Sequence, residues 1–160
     1  MVFYTLRNQL IVVFYFFMKN EKRIAIYEVH KIKAIEHFLM AEKAINHEVN
    51  PLYEQMVMNC HMGVEMIMKA AIYKFGGIPP THGPEGHNLL KIASTKIGKR
   101  KLLLDAINST GFIQPLWHKI VSAWNINKRY EFMGLSPLDY DDLYEAYERF
   151  YRWIVAKFVD

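Results

Sequence analysis

The sequence predicts an all-α fold, an up-and-down antiparallel bundle of four or five helices. Two observations carry this prediction. Apolar residues recur at three- and four-residue steps over most of the chain, which is the spacing of a single helix face. Outside the first 18 residues, no run of side chains reads as part of a sheet. The 160 residues are enough for one domain with a substantial core.

The composition indicates a globular protein with no strong charge bias. Hydrophobic residues make up 52% of the chain and charged residues 22%, which are values of folded domains and not of disordered chains. A net charge of +4 permits an acidic partner without requiring one. The single cysteine, Cys60, excludes an internal disulfide and fits a reducing cytoplasm. It lies on an apolar stripe, which favours a buried thiol over a nucleophile.

Residues 1–20 form an apolar extension that differs from the rest of the chain, which we assign to one helical domain over residues 21–160. The apolar run from Leu10 to Met18 is shorter than the roughly 20 residues that a membrane span needs. A charged stretch follows it, where a signal peptide would have a small-residue cleavage site. Three interpretations stay open: an extra strand or helix packed on the bundle, a surface anchor, or an over-long start with translation beginning at Met18.

The first predicted helix covers about residues 24–46, and the stretch that organises the fold follows it. Asn50 suits an N-cap and Pro51 the first helical position, so a long helix is predicted from Pro51 to Phe75. Gly76 and Gly77 come where a helix ends in a left-handed residue.

This long helix has few polar positions. One apolar stripe consists of Met56, Cys60, Val64, Ile67 and Ala71, and a second line consists of Met58, Met62 and Met66. His61, Glu65 and Lys69 lie four residues apart, so each can contact the next. A helix that is apolar on most sides is central in a bundle, pressed against a second subunit, or both.

Shorter helices are predicted after the glycine-rich elbow. They cover about residues 87–97, 102–107 and 114–127, and the chain's most basic stretch lies at the break between the first two: Lys96, Lys99, Arg100 and Lys101. The last helix begins at Ser136, where a capping residue, a proline and an acidic third residue follow one another.

Three landmarks in this order resemble the HEPN domain family over about residues 31–158. The first is similar to the second HEPN helix and consists of Cys60, His61, Val64, Glu65, Met66, Met68, Lys69, Ala70 and Ala71. The second is the Gly/Pro elbow from Gly76 to His82, followed by His87 and Leu89 at the start of the next helix. The third is Arg129–Tyr130, which resembles a pair that many HEPN proteins carry before their last helix.

The resemblance implies a homodimer and a function in nucleotide or RNA binding, with a ribonuclease as the alternative. Active HEPN ribonucleases carry an arginine followed, after four to six residues, by a histidine. Arg129 has no histidine at that spacing, and the formal match of Arg23 with His30 falls in the first helix. We therefore expect a binding module and not an active nuclease. It could act as partner of a minimal nucleotidyltransferase in a toxin–antitoxin or defence system.

The candidate ligand- or phosphate-binding residues are Arg129, Tyr130, Lys128 and His87, and the candidates for an interface or site are His61, Glu65 and Lys69. Arginine can hold a phosphate and tyrosine can stack on a base. For each residue a purely structural role is the competing interpretation. The basic stretch at residues 96–101, joined in space to Lys128 and Arg129, is the electrostatic argument for RNA. No catalytic residue, cofactor or metal is predicted, because no phosphate-binding loop, paired-cysteine or metal-ligand motif is present.

Overall fold

The computed structural model describes residues 2–48, 51–123 and 134–160, with side chains described from residue 20 onward. Within these ranges the chain is helical. The helices are α1 (Val2–Ile45), α2 (Tyr53–Lys74), α3 (Gly83–Gly86), α4 (Leu89–Ala93), α5 (Leu102–Ser109), α6 (Gln114–Ala123) and α7 (Pro137–Ile154). A π-helical turn, Val155–Val159, continues α7. The all-α prediction is confirmed.

The four longer helices of the described chain, α1, α2, α6 and α7, run alternately up and down. At one end of the first pair the Leu52 amide donates to the carbonyl of Ala44 at 2.8 Å. At the other end, Arg23 of α1 lies beside Gly76, just after α2. Helices α6 and α7 are also antiparallel, because Trp117 stacks on Phe150 while Lys119 pairs with Asp142 farther back along α7.

Helix α2 is the centre of the bundle, as the sequence predicts. The apolar stripe of α2 is fully buried, and the line of Met58, Met62 and Met66 is half-buried. Gly63 lets α1 approach closely, since a Cβ at this position would lie 2.5 Å from Cδ2 of Phe38. The side chains that cover α2 come from its own chain, mainly from α1 and α7.

Three predicted helix boundaries were wrong. Helix α2 begins at Tyr53, because Leu52 is held in a non-helical conformation by its bond to Ala44. Helix α4 ends at Ala93, well before residue 97, since Ile97 pairs with Arg100 across a turn at Gly98 (φ +63°). Helix α1 begins at Val2, so it runs across residue 20 without a break. The domain boundary at residue 20 itself stays a prediction.

The last helix begins as its sequence indicates. The Ser136 hydroxyl accepts from the Asp139 amide, and the Asp139 carboxylate accepts from the Ser136 amide. This reciprocal pair satisfies two amides at the helix start. At the other end, the Val159 carbonyl accepts from the Tyr27 hydroxyl at 3.0 Å and from Lys74 Nζ at 2.5 Å. These two hydrogen bonds connect the π-helical turn after α7 to both α1 and α2.

Candidate functional site

A buried ion pair lies near the middle of α2. Lys69 Nζ donates to Glu65 Oε1 at 2.7 Å, and the two side chains are only 4% and 1% exposed. The four-residue spacing places both on one face of the helix. Charged side chains are buried to this degree only when they are paired. The contact between them is therefore a requirement of this core and not an incidental surface bridge.

His87, from the elbow before α4, supplies the second partner of Glu65. Its Nδ1–H donates to Glu65 Oε2 at 3.0 Å, so both oxygens of the carboxylate are used. The ring is 40% exposed and is the part of the group that faces solvent. Its position is fixed by its neighbours: His87 closes α3, and the Asn88 side chain caps α4 by accepting from the Lys91 amide.

His61 completes the group one turn before Glu65. Its Nε2–H donates to the carbonyl of His87 at 3.3 Å, and Nδ1 accepts from the hydroxyl of Tyr147 on α7 at 3.5 Å. Burial lowers the pKa of His61 from 6.5 to about 4, so the ring is neutral at pH 7. A neutral ring with one donor and one acceptor suits these two partners.

The structure thus gathers four of the sequence candidates into one group, which we call the buried cluster: His61, Glu65, Lys69 and His87, with Tyr147 added. The cluster lies inside a single chain, and a role of its residues at a subunit contact stays a prediction. The other three candidates, Lys128, Arg129 and Tyr130, lie outside the described residues, and their roles also stay predictions.

His30 of α1 lies beside this cluster. Its ring packs against that of Tyr73 with the centroids 5.2 Å apart, one turn beyond Lys69 on α2. Its Nδ1–H donates to the Ile26 carbonyl at 2.8 Å. Burial lowers the pKa of His30, and the positive charges of Lys69 and Lys33 lower it further. The imidazole is therefore neutral at pH 7, with Nε2 as an acceptor.

A second polar group is exposed and lies in the turn between α4 and α5, close in space to the end of α2. It consists of Lys96, Lys99, Arg100 and Lys101, which we call the basic turn. The backbone pairing of Ile97 with Arg100 shapes this turn, and Gly98 supplies its left-handed residue. Within the described ranges, none of the four cationic side chains forms an ion pair.

Two consecutive glycines bring the basic turn close to α1. A Cβ on Gly77 would lie 2.9 Å from Cγ1 of Ile97, inside the basic turn. A Cβ on Gly76 would lie 3.0 Å from Nη1 of Arg23. The guanidinium of Arg23 and the basic turn therefore share one end of the bundle, which we call the basic end.

A family model, described as HEPN domain, matches residues 27–158. The chain belongs to the HEPN family. The match covers the buried cluster, the basic turn and all helices from α2 to α7. No match was found among curated proteins or among solved structures.

Neither a metal-binding group nor a membrane span is found in the described part of this HEPN domain. No group of three or more histidine, cysteine or acidic side chains there could hold a metal ion. None of the helices searched, again within the described residues, is apolar over enough of its length to cross a bilayer. Cys60 is buried beside Met56, and burial raises the pKa of its thiol.

Sequence reasoning missed three residues of these groups. Tyr147 was not predicted, because its hydroxyl meets a histidine 86 positions away along the chain. The spacing between Arg23 and His30 was recognised, but neither residue was given a role. Seven residues is close to two helical turns, so the spacing places both on the same side of α1. The contacts of Arg23 with Gly76 and of His30 with Tyr73 show that this side faces α2.

Proposed function

We propose that this HEPN protein is an RNA- or nucleotide-binding module whose basic end contacts phosphate groups. The observation that carries the proposal is the basic turn, where four exposed cations have no ion-pair partner in the described chain. Elsewhere on the described surface, cations such as Lys119, Arg149 and Arg152 pair with nearby carboxylates. Unpaired cations close together raise the local positive potential, which favours a polyanion.

The position of the basic turn supports a phosphate contact over a merely solvated helix end. Its backbone is held by the Ile97–Arg100 pairing and by packing against Gly77, so its lysines project from a fixed base. Arg23 adds a guanidinium, which can bind a phosphate through two parallel hydrogen bonds. Five cations on one end are enough to follow several phosphates of a single strand.

The test is a binding measurement with a fluorescent single-stranded RNA dodecamer. We expect Lys99→Glu with Lys101→Glu to weaken binding by at least tenfold, since two attractive charges become repulsive. Arg149→Glu with Arg152→Glu is the matched control: both side chains are exposed, the charge change is equal, and both lie on α7, outside the basic end. Equal losses in the two double variants would contradict the proposal.

The same RNA separates binding from cleavage. RNA recovered at full length after incubation with the wild-type protein supports the binding module. Cleavage that Arg129→Ala abolishes would establish the ribonuclease instead.

We further propose that two copies pair through the outer face of α1. Pairing is the habit of the family, and this face carries six large apolar side chains that are about half exposed: Ile24, Val29, Ile32, Ile35, Leu39 and Met40. In an antiparallel arrangement with Ile32 opposite Leu39, Glu28 of one copy comes level with Lys43 of the other. A wild-type dimer that Ile32→Glu converts to a monomer, by light scattering after gel filtration, is the expected result. A wild-type monomer would overturn the pairing.

Membership of the family also favours a minimal nucleotidyltransferase as partner, in a toxin–antitoxin or defence system. Co-expression with the product of a neighbouring gene, followed by co-purification, tests this part. Separate elution of the two products would contradict it.

A further inference from the structure

Phe75 is an exposed aromatic residue that caps the end of α2. Its side chain is 45% exposed, and its ring meets the buried ring of Phe158 with the centroids 6.2 Å apart and the planes at 85°. Phe158 meets Trp153 in the same way, at 5.7 Å and 84°. Edge-to-face contacts are a favoured geometry of aromatic pairs. The orientation of the exposed Phe75 ring is therefore fixed by the rings behind it.

The ring of Phe75 lies close to the basic turn. Ile72 precedes it by three residues, so the two side chains are neighbours on the surface of α2. A Cβ on Gly77 would lie 2.6 Å from Cγ2 of Ile72 and 2.9 Å from Cγ1 of Ile97, so the two isoleucines lie next to each other. Ile97 is part of the turn that carries the four cations. The exposed ring and the exposed cations therefore adjoin on one surface.

Positive charge also lies on other sides of Phe75. The guanidinium of Arg23 lies beside the residue that follows Phe75 along the chain. Lys157 Nζ lies 6.0 Å from the centroid of the Phe158 ring, and this lysine is exposed and forms no ion pair within the described ranges. Asp160, the acidic residue nearest to Lys157 in sequence, pairs instead with a lysine of α1. The surface around Phe75 is therefore apolar at its centre and positive at its edges.

This combination favours one class of ligand. A nucleobase has an apolar face that stacks on an aromatic ring, and the phosphates on either side of the base are negative. An apolar segment of a protein would meet the same ring but would leave the surrounding cations without partners. In a duplex the base faces are covered by neighbouring bases, whereas a single strand can present them. The matching ligand is therefore an unpaired strand.

We propose that Phe75 stacks on a base of single-stranded RNA, while the basic turn, Arg23 and Lys157 bind phosphates on either side of that base. The inference rests on the proposed function and adds two points to it: the substrate class, which is an unpaired strand, and the residue that contacts a base. Stacking on an aromatic ring tolerates every base. The surface therefore selects unpaired RNA and not a particular sequence.

The experiment compares two ligands of equal length and charge: the RNA dodecamer, and a dodecamer whose ribose units carry no bases. Wild type should bind the strand with bases more tightly by about fivefold or more, because stacking of one base on a ring contributes that much to affinity. Phe75→Leu keeps an apolar contact with Phe158 but has no ring. It should lose most of this preference and bind the abasic strand like wild type. Phe75→Trp has a ring again and should keep the preference.

Phe112→Leu is the matched control. Phe112 is 64% exposed and lies between α5 and α6, at the opposite end of α5 from the basic turn. This variant should keep the wild-type preference for the strand with bases. Equal losses of preference in Phe75→Leu and Phe112→Leu would overturn the inference, as would a wild-type protein that binds the two strands equally.

The outcomes separate this inference from the function on which it rests. If wild type binds both strands equally and Lys99→Glu with Lys101→Glu weakens both, the stacking role fails and the proposed function stands. If Phe75→Leu loses the preference and the charge-reversal variant binds like wild type, the contact at the basic turn fails and the stacking role stands. If neither strand binds, both proposals fail. A change of oligomeric state in Phe75→Leu, measured by light scattering, would then assign this surface to a protein contact.

Discussion

The two polar groups of this protein contain similar residues in opposite surroundings. In the buried cluster, Glu65 and Lys69 are withdrawn from water and bonded to one another and to His87. In the basic turn, the four cations are exposed and have no ion pair with any described residue. In the buried cluster, the negative charge of Glu65 balances the positive charge of Lys69. The basic turn, in contrast, carries an excess of positive charge.

This difference separates charged residues that stabilise the fold from charged residues that are available for binding. A buried ion stays in place only if its partners are present, so its removal acts on folding. An exposed cation with no partner contributes little to folding, so its removal acts on what the surface binds. The predictions below rank substitutions by this difference, beginning with the largest effect on stability.

Glu65→Ala should lower the free energy of unfolding by about 3–5 kcal/mol, because it leaves Lys69 buried without a counter-ion. The matched control is Glu148→Ala on α7. Glu148 pairs with Arg152 at the same spacing and the same 2.7 Å, but the two side chains are 34% and 74% exposed. The control should cost about 0.5 kcal/mol or less. Urea unfolding measures both, and equal losses would contradict the distinction.

The stability should also depend on pH through His61. Its pKa in the folded state is lowered to about 4, so between pH 6.5 and 4 the unfolded chain binds a proton that the folded chain does not. This contribution is fully present above pH 6.5 and is lost as the pH falls toward 4, by about 3 kcal/mol in all. His61→Phe should lack this loss when unfolding is measured at pH 7.5 and 4.5. His82→Phe, at an exposed position, is the control and should keep the loss. If wild type and His61→Phe lost the same free energy of unfolding between pH 7.5 and 4.5, the assignment to His61 would be contradicted.

An intermediate effect is expected at the capping box of α7, which is exposed but bonded within the chain. Ser136→Ala removes the acceptor of the Asp139 amide and should cost about 1 kcal/mol. Ser122→Ala is the comparison, because that hydroxyl only donates to the Lys119 carbonyl one turn back in α6. It should change stability by less than about 0.5 kcal/mol. Thermal unfolding distinguishes the two.

The smallest effect on stability is expected at the basic turn. Lys99→Glu with Lys101→Glu should leave the free energy of unfolding within about 0.5 kcal/mol of wild type, because neither side chain forms an ion pair with a described residue. Urea unfolding provides the measurement. A large loss would mean that the basic turn holds the fold together.

The sequence was most informative where local chemistry decides the structure. The start of α7 follows from Ser136, Pro137 and Asp139, which act on their own neighbours. The start of α2 does not, because Leu52 bonds to Ala44 and α2 begins at Tyr53, two residues after the start that Pro51 indicates. The predicted cap, Asn50, lies outside the described residues. Local signals therefore predict which helices exist, while contacts with other elements shift where they begin.

The candidate site shows the same limit over longer distances. The pairing of Glu65 with Lys69 follows from a spacing of four residues. The bond of Glu65 to His87 crosses 22 positions, and the approach of Arg23 to Gly76 depends on how two helices pack. No periodicity in one helix specifies either contact. The residue types at the site could be predicted, but not which of them would meet.

The central claim is that the basic turn contacts phosphates, and the salt dependence of RNA binding tests it most directly. For a single strand, the logarithm of the binding constant falls with the logarithm of salt concentration by about 0.7 per phosphate contact. Lys99→Gln with Lys101→Gln should therefore reduce the magnitude of this slope by about 1.4, with folding unchanged. An unaltered slope, or the same reduction in Arg149→Gln with Arg152→Gln, would contradict the claim.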